Sequence, residues 1–535
     1  MATGTPSPAL QKTAMRSRDI EADDESAPTP AAPPGAFPSP STSAALNAEA
    51  AELRDGSDVP WHVYSAELKA LFSLCGPLAL SGFLMYARLL ISLMFLGRLG
   101  AVPLAGGALA LTVVNVTSFS PLFGLTLALE PLYGRAYGAK DFRAMGAWLQ
   151  RGVVILWLFS VPISALWWNA EKILLLLRQS PEIAAAAGLY LRFLLPDVVL
   201  TATVMPVRMF LRTQGYASYI LYANVFAFAL QVPLTVLFMD YAGLGMGGAA
   251  IASFCYNLVL LILLISVGLW RGLFARCWPG LSPRVWASDW SVFLGLAIPS
   301  CFSLCLQWWA YETATIMAGW LPKPEYNLSA LSICFNINAA LAGVNFATGT
   351  SSSTRIGTLM GANQPQLARV ASRAFIWVGL ATGLTIGAVY AIFRDHLVSL
   401  FSAEPHIVHL GAQLFVVCAF YAIADGPQNV LQGILRGSAR HKVVALCVLA
   451  VEYPIGIPAA YMLAFWAKLG IRGLWIGSLI SLCVQFAVLF VIYLRTDWEE
   501  QAARAQRQVA AAKAVMKKAA VGPAAESDAS TPLLQ

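Results

Sequence analysis

From Leu71 onward, apolar stretches of about 20 residues recur between short polar breaks, each long enough to cross a bilayer core of about 30 Å. LFSLCGPLALSGFLMYARLLISLMFL, VVILWLFSVPISALWW and IGSLISLCVQFAVLFVIYL are examples. None alternates apolar and polar residues over about ten positions, which argues against barrel strands. The runs and their punctuation predict about twelve helices, over 67–96, 102–130, 145–168, 185–211, 217–240, 246–270, 288–319, 327–353, 368–393, 406–435, 442–465 and 471–495. An even number puts both chain ends on one side. The pattern predicts an all-α polytopic membrane protein.

The pattern also repeats. EPLYGRAYGAKDFRA, from Glu130, follows the second run, and STRIGTLMGANQPQLA, from Ser353, follows the eighth. Aligning Gly134 with Gly357 brings Gly138-Ala139 onto Gly361-Ala362. LAGGALA at Leu104 then parallels LSALSIC at Leu328, Pro77 parallels Pro299, FLRTQG at Phe210 parallels ILRGSA at Ile434, and Pro233 parallels Pro458. Two six-helix halves duplicated in one orientation predict two pseudo-symmetric lobes with a substrate site between them, near mid-membrane. The expected division is a disordered N-terminal tail over 1–64, an N-lobe over 65–280, a C-lobe over 281–497 and a C-terminal tail over 498–535. The glycine-rich stretches are expected to be tight turns between helices.

Composition agrees with this reading: 58% of residues are hydrophobic and 12% charged, against about 25% charged in a soluble domain. The net charge of +7 comes from bases such as Arg135, Lys140, Arg143, Arg369, Arg436 and Lys442, in loops on the side of the termini. The opposite loops hold roughly half as many, which predicts cytoplasmic termini and argues against nucleic-acid binding. Nine cysteines are scattered without a CxxC pair, and Cys301 and Cys305, four apart, read as packing on one helix face. PTPAAPPGAFPSPS marks a stretch too poor in apolar residues to build a core, and no apolar signal segment precedes it. The Ala-rich, basic tail after Asp497 predicts a short helix on the membrane surface.

EPLYGRAYGAKDF, STRIGTLMGANQPQLAR, QNVLQGILRGSAR and LRTDWE, in that order, resemble the multidrug and toxic compound extrusion (MATE) family, in its plant detoxification-efflux branch, over about residues 65–500. The resemblance implies secondary active efflux of organic solutes, cationic or aromatic. It implies two six-helix lobes forming a V that rocks between inward-open and outward-open states. It implies no cofactor, and a coupling proton ahead of sodium. Related plant members commonly read LEWW followed by a two-residue step to Glu. This chain reads LQWWAYE, so Gln307 replaces an acid and Glu312 is kept. The first helix has no aspartate, which some prokaryotic relatives use in an N-lobe cation site.

A charged group in a bilayer core costs at least about 2.5–3.5 kcal/mol on insertion scales, so each survivor is a site candidate. Asp425 lies inside the tenth span, and the resemblance places it at the family's acid eleven residues before the Arg of the RG motif. Gly426-Pro427 beside it are expected to loosen the helix and free carbonyls. The plain alternative is an acid held by a buried polar neighbour. Glu312 lies about 140° round the helix from Gln307, so the two cannot both face the cleft; a pair to a neighbouring helix or a place near the outer surface is its alternative. Gln307, Trp308 and Trp309 suit a cavity for flat organic cations, or a lipid interface. Asp197 is one turn from Thr201, the repeat counterpart of Asp425, and is a candidate second proton site. Asn115 and Asn336 offer polar contacts to substrate or hydrogen bonds between helices. Arg88, Arg208 and Arg355 are expected to snorkel to the headgroups.

Other strings are set aside. GLGMGG at Gly243 follows a membrane span and lacks a βαβ setting. His406 and His409 have no cysteine or carboxylate cluster for a metal. Asn327-Leu-Ser is a glycosylation sequon close to the membrane. Nothing argues for an enzyme. The expected function is proton-coupled export of cationic or aromatic metabolites and xenobiotics. The alternatives are an organic-anion (citrate-like) exporter and a membrane regulatory protein acting through its tails. The expected partners are a small-molecule substrate and the bilayer, with the chain a monomer. The plasma membrane competes with endosomal, Golgi or vacuolar membranes, since the final Pro-Leu-Leu resembles a sorting signal with Asp528 one position off the usual spacing.

Overall fold

The structure, a computed structural model, describes residues 45–49, 60–177, 179–278, 280, 286, 288–322, 324–401 and 404–520. The described residues contain no strand. They contain twelve helices long and apolar enough to cross a membrane: α1 (Trp61–Arg98), α2 (Val102–Gly138), α3 (Phe142–Trp168), α4 (Pro181–Thr213), α5 (Ala217–Tyr241), α6 (Gly245–Trp270), α7 (Trp290–Ala318), α8 (Ser329–Gly361), α9 (Pro365–Ser399), α10 (Pro405–Gly437), α11 (His441–Trp466) and α12 (Ile471–Leu494). A further helix, α13 (Trp498–Ala520), follows. Large apolar side chains such as Trp157, Phe226, Ile262, Trp377 and Phe420 point outward. Water would not tolerate so many on one surface, and lipid does. The chain is an integral, multi-pass membrane protein.

One apolar core, from Phe95 to Ala297, binds the first six helices and the start of α7. Two others fill the second six, one around Leu359, Phe375 and Leu431 and one around Leu331, Phe415 and Leu474. The result is two six-helix lobes. The first and last described segments lie on one face, where α8 turns into α9. Leu46 and Trp498 enter the same core there, and Asn47 Oδ1 accepts a bond from the Leu367 amide at 3.2 Å. We name this the terminal face. Most of the expected N-terminal tail lies outside the described residues. The C-terminal helix, expected on the membrane surface, docks on protein instead. Ala502 and Ala505 are buried, and Gln506 Nε2 donates to the carbonyls of Met360 and Gly361 at 3.1 and 2.9 Å.

The glycine-rich stretches also differ from expectation. They extend α2 and α8 about two helical turns past their predicted ends, as far as Gly138 and Gly361. The two helices cross backbone to backbone there. A Cβ on Gly138 would sit 2.0 Å from the Thr358 carbonyl oxygen, and one on Gly361 2.3 Å from that of Arg135. These glycines make a crossing surface between lobes. The turns fall on Lys140 and Asn363, with φ of 55° and 57°.

Charge locks the same face. Arg355 of α8 grips Glu67 of α1 with Nε at 2.8 Å and Nη2 at 2.5 Å, with side chains 2% and 0% exposed. Arg355 is therefore buried and paired and does not snorkel. Glu130 of α2 accepts Arg212 of α4 at 2.7 Å, and Arg436 of α10 lies 3.6 Å away. Arg212 and Arg436 are repeat counterparts, so the matching arginine of each lobe reaches one carboxylate.

Candidate functional site

Just inside the locked face, a cavity of ≈ 20 Å³ is lined by Gln307, Phe346, Asn429, Gln432, Arg436 and His441, among others. That is room for about one water molecule. Half-buried Asp425 adjoins it through one amide. Asn429 Nδ2 donates to Asp425 Oδ1 at 2.9 Å, and Asn345 Nδ2, from α8, donates to Oδ2 at 3.0 Å. No cationic side chain among the described residues comes within ion-pair distance of this carboxylate. Helix α10 runs unbroken through Gly426-Pro427 rather than loosening there. Gly426 lets α9 approach, since a Cβ on it would meet the Gly379 carbonyl oxygen at 1.9 Å.

The α7 candidates separate. Gln307 lines the cavity. The Trp308 ring lies 5.8 Å from Phe119 of α2, which stacks on Phe123 at 5.6 Å, and Phe123 meets Phe346 of α8 at 5.6 Å. This aromatic row crosses from one lobe to the other. Trp309 and Glu312 are exposed, and Glu312 forms no ion pair among the described residues. Asn115 opens a π-helical turn, Asn115–Phe119, in α2. Asn336 Oδ1 accepts a bond from Tyr86 Oη, tying α8 to α1.

The N-lobe has its own polar pocket. Asn257 of α6 donates to Asp197 Oδ1 at 2.8 Å and reaches Thr201 Oγ1 at 3.5 Å. The Arg88 guanidinium lies 4.6 Å over the Tyr256 ring, and its Nε and Nη1 are buried without a hydrogen-bond partner. Tyr256 Oη donates to Asn224 Oδ1 at 2.9 Å. Arg88 is within range for charge interaction with Asp197 and with half-buried Arg208. Arg88 does not snorkel: Tyr256 of α6 and Asp197 of α4 draw it inward. Asp197 and Asp425 stay in different lobes.

Sequence reading missed Asn345, Asn429 and Glu452. Asn345 and Asn429 carry no charge, and they could have been singled out on the same ground as Asn115 and Asn336, as amides inside apolar spans. Glu452 did carry a signal, as an acid inside the expected span 442–465. Its Oε2 accepts bonds from Ser481 Oγ and Gln485 Nε2 of α12, both at 2.6 Å. No three His, Cys, Asp or Glu side chains among the described residues could hold a metal ion. The His406 ring lies 4.9 Å from Tyr326, and His409 meets Gln413 at 2.8 Å.

The MatE family model matches residues 77–237 and, a second time, 299–462. This chain belongs to the MatE family. The two MatE matches begin at Pro77 and Pro299, which the repeat pairs. Among its relatives, Protein DETOXIFICATION 49 of Arabidopsis thaliana is 36% identical over 484 residues, spanning 90% of this chain and 94% of that protein. Protein DETOXIFICATION 48, also from Arabidopsis thaliana, is 36% identical over 82% of each chain. The crystal structure of the eukaryotic MATE transporter AtDTX14 superposes with a TM-score of 0.79 at 31% identity, covering 84% of this chain and 100% of that one. A transporter from Pyrococcus furiosus, at 17% identity and a TM-score of 0.73 over 82% and 97% of the two chains, shares the fold. The protein is a MATE-family secondary transporter of the detoxification type.

Proposed function

We propose that this transporter exports organic solutes, cationic or aromatic metabolites and xenobiotics, in exchange for protons. One observation carries the reading: Asp425 faces neutral amides from α8 and its own helix instead of a cation. A carboxylate in a low-dielectric setting without a paired cation is neutralised by a proton or by a cationic ligand. The two compete for one charge, and that competition is the exchange. The substrate's flat rings lie along Trp308, Phe119, Phe123 and Phe346 between the lobes. Protonation of Asp425 releases the substrate and biases the rocking of the lobes, which the pairs at the terminal face hold shut in this state. The concentration of loop bases on the terminal face supports a cytoplasmic location for both termini. The transporting unit is the monomer, and sodium is the alternative coupling ion.

The test is flux in proteoliposomes against an imposed pH gradient, normalised to folded protein. Asp425→Asn keeps the shape and fixes the group neutral. It is expected to lower gradient-driven flux by about 100-fold, the scale of losing a positioned proton-transfer group, with normal folding and insertion. Wild-type flux in that variant refutes the reading.

A second reading, export of an organic anion, rests on Arg88. Two buried guanidinium nitrogens without partners suit a substrate carboxylate. Flux measured across a panel of cations and organic acids separates the two.

A further inference from the structure

The C-lobe holds a second half-buried carboxylate. Glu452 opens a π-helical turn, Glu452–Gly456, in α11. Such turns spoil the regular backbone ladder and recur at functional sites. The side chain is built into its pocket from one side only. Ser481 and Gln485 of α12 both donate to Oε2, while Oε1 accepts no hydrogen bond from the described residues. Close approach of α12 seats the group: a Cβ on Gly456 would lie 2.8 Å from Ser481 Cβ and 3.5 Å from Glu452 Oε1. No lysine, arginine or histidine pairs with it among the described residues.

Two polar paths lead from this carboxylate towards Asp425. Gln485 binds Glu452 with its amide nitrogen, and its Oε1 accepts from Gln428 Nε2 at 3.2 Å. Gln428 is one turn along α10 from Asp425. The other path is a pair of phenols. Tyr311 Oη of α7 lies 2.5 Å from Tyr421 Oη, one turn before Asp425 on α10. Both tyrosines are within charge-interaction range of both carboxylates.

We propose that Glu452 is a second proton-binding site of the C-lobe, joined to Asp425 by these polar paths. The proposal deepens the proton-exchange reading and rests on it for its role in transport. A free Oε1 beside a doubly satisfied Oε2 is the atom that takes the proton. The titratable groups facing Glu452 are Tyr311 from α7 and Tyr421 from α10, with Asp425 beyond them. Tyr453 and Cys447 lie on its own helix, and α12 presents only the neutral Ser481 and Gln485. None of these supplies a positive charge.

The experiment is an infrared pH titration of the protonated-carboxyl band in purified wild type, Glu452→Gln, Glu452→Asp and Asp425→Asn, reconstituted in lipid, with flux measured alongside. Two carboxyl components are expected in wild type over about pH 4–9. Glu452→Gln removes one, and Glu452→Asp restores it. In Asp425→Asn the Glu452 component remains, which assigns the other component to Asp425. The steepness of flux against pH falls from about two protons to about one in Glu452→Gln. An unchanged band and unchanged steepness in folded Glu452→Gln overturn the proposal, as does a component that answers to sodium alone. Wild type without pH-driven flux sinks proton exchange, while the infrared titration still decides whether Glu452 binds a proton. Failure to fold in Glu452→Gln but not in Glu452→Asp, with no titrating band in the latter, assigns Glu452 a structural role and also overturns it.

Discussion

Glu67 and Asp425 are both carboxylates on long apolar helices, and their neighbours set them apart. Glu67 is fully buried and held by two nitrogens of Arg355. Glu130 likewise receives Arg212, with Arg436 beside it. Asp425 receives one amide on each oxygen, stays half-buried and adjoins a cavity. A carboxylate whose charge is matched inside the protein keeps that charge and serves as a fastener. One matched only by neutral donors must find its compensation from outside. The terminal face of the molecule is therefore built to hold, and on the proposed reading its middle is the part that exchanges. Asp197 lies between the extremes, bound by an amide but within reach of the unpaired Arg88.

Breaking a fastener tests this contrast most severely. Glu67→Gln leaves the Arg355 guanidinium buried without its counter-charge, and the expected loss of stability is about 3–5 kcal/mol. Thermal unfolding in detergent reads it. Replacing both partners with apolar residues of similar volume, Glu67→Leu with Arg355→Met, is expected to recover most of the loss. Asp425→Asn measured the same way should change stability by less than about 1 kcal/mol, because its remaining oxygen still accepts and Asn345 can turn its unpartnered Oδ1 towards the new NH2. Equal destabilisation by the two single variants erases the distinction.

A smaller effect is expected at the helix crossing. Gly138→Ala places a methyl against the Thr358 carbonyl only while the terminal face is shut. Overpacking of this kind costs about 1–3 kcal/mol, so the variant should favour opening of that face by roughly 5- to 150-fold. Distances between spin labels at the ends of α2 and α8 check it, and an unchanged distribution removes the crossing from the gate.

The mildest change is expected from Asp197→Asn. Arg88, within charge-interaction range of Asp197 though not paired with it, offsets part of its charge, so cation flux should fall by less than about 10-fold. Binding of organic acids should rise, since Arg88 loses a negative neighbour. A loss as large as that of Asp425→Asn would make the two lobes equal partners in exchange.

The twelve spans were legible because lipid imposes one rule on a long stretch, apolar side chains over about 20 residues, and that rule leaves its mark locally. The duplication was legible too, since Pro77 and Pro299, or Arg212 and Arg436, keep their spacing along the chain. Asp425 could be singled out because a charge in such a span is rare. What its neighbours were could not. Asn345 is 80 positions away from Asp425, and Arg355 is 288 away from Glu67. Pairings at that range depend on how helices stack, which no local pattern records. For the same reason the glycines after Glu130 read as a turn. A glycine looks alike in sequence whether it bends its own backbone or admits another, and only the crossing of α2 with α8 made it the second. Arg88 and Arg355 had the composition of snorkelling residues, and partners on other helices drew them inward. Sequence thus determined which residues must lie in the membrane. Tertiary structure decided which of their charges are satisfied there, because compensation is a property of neighbours in space.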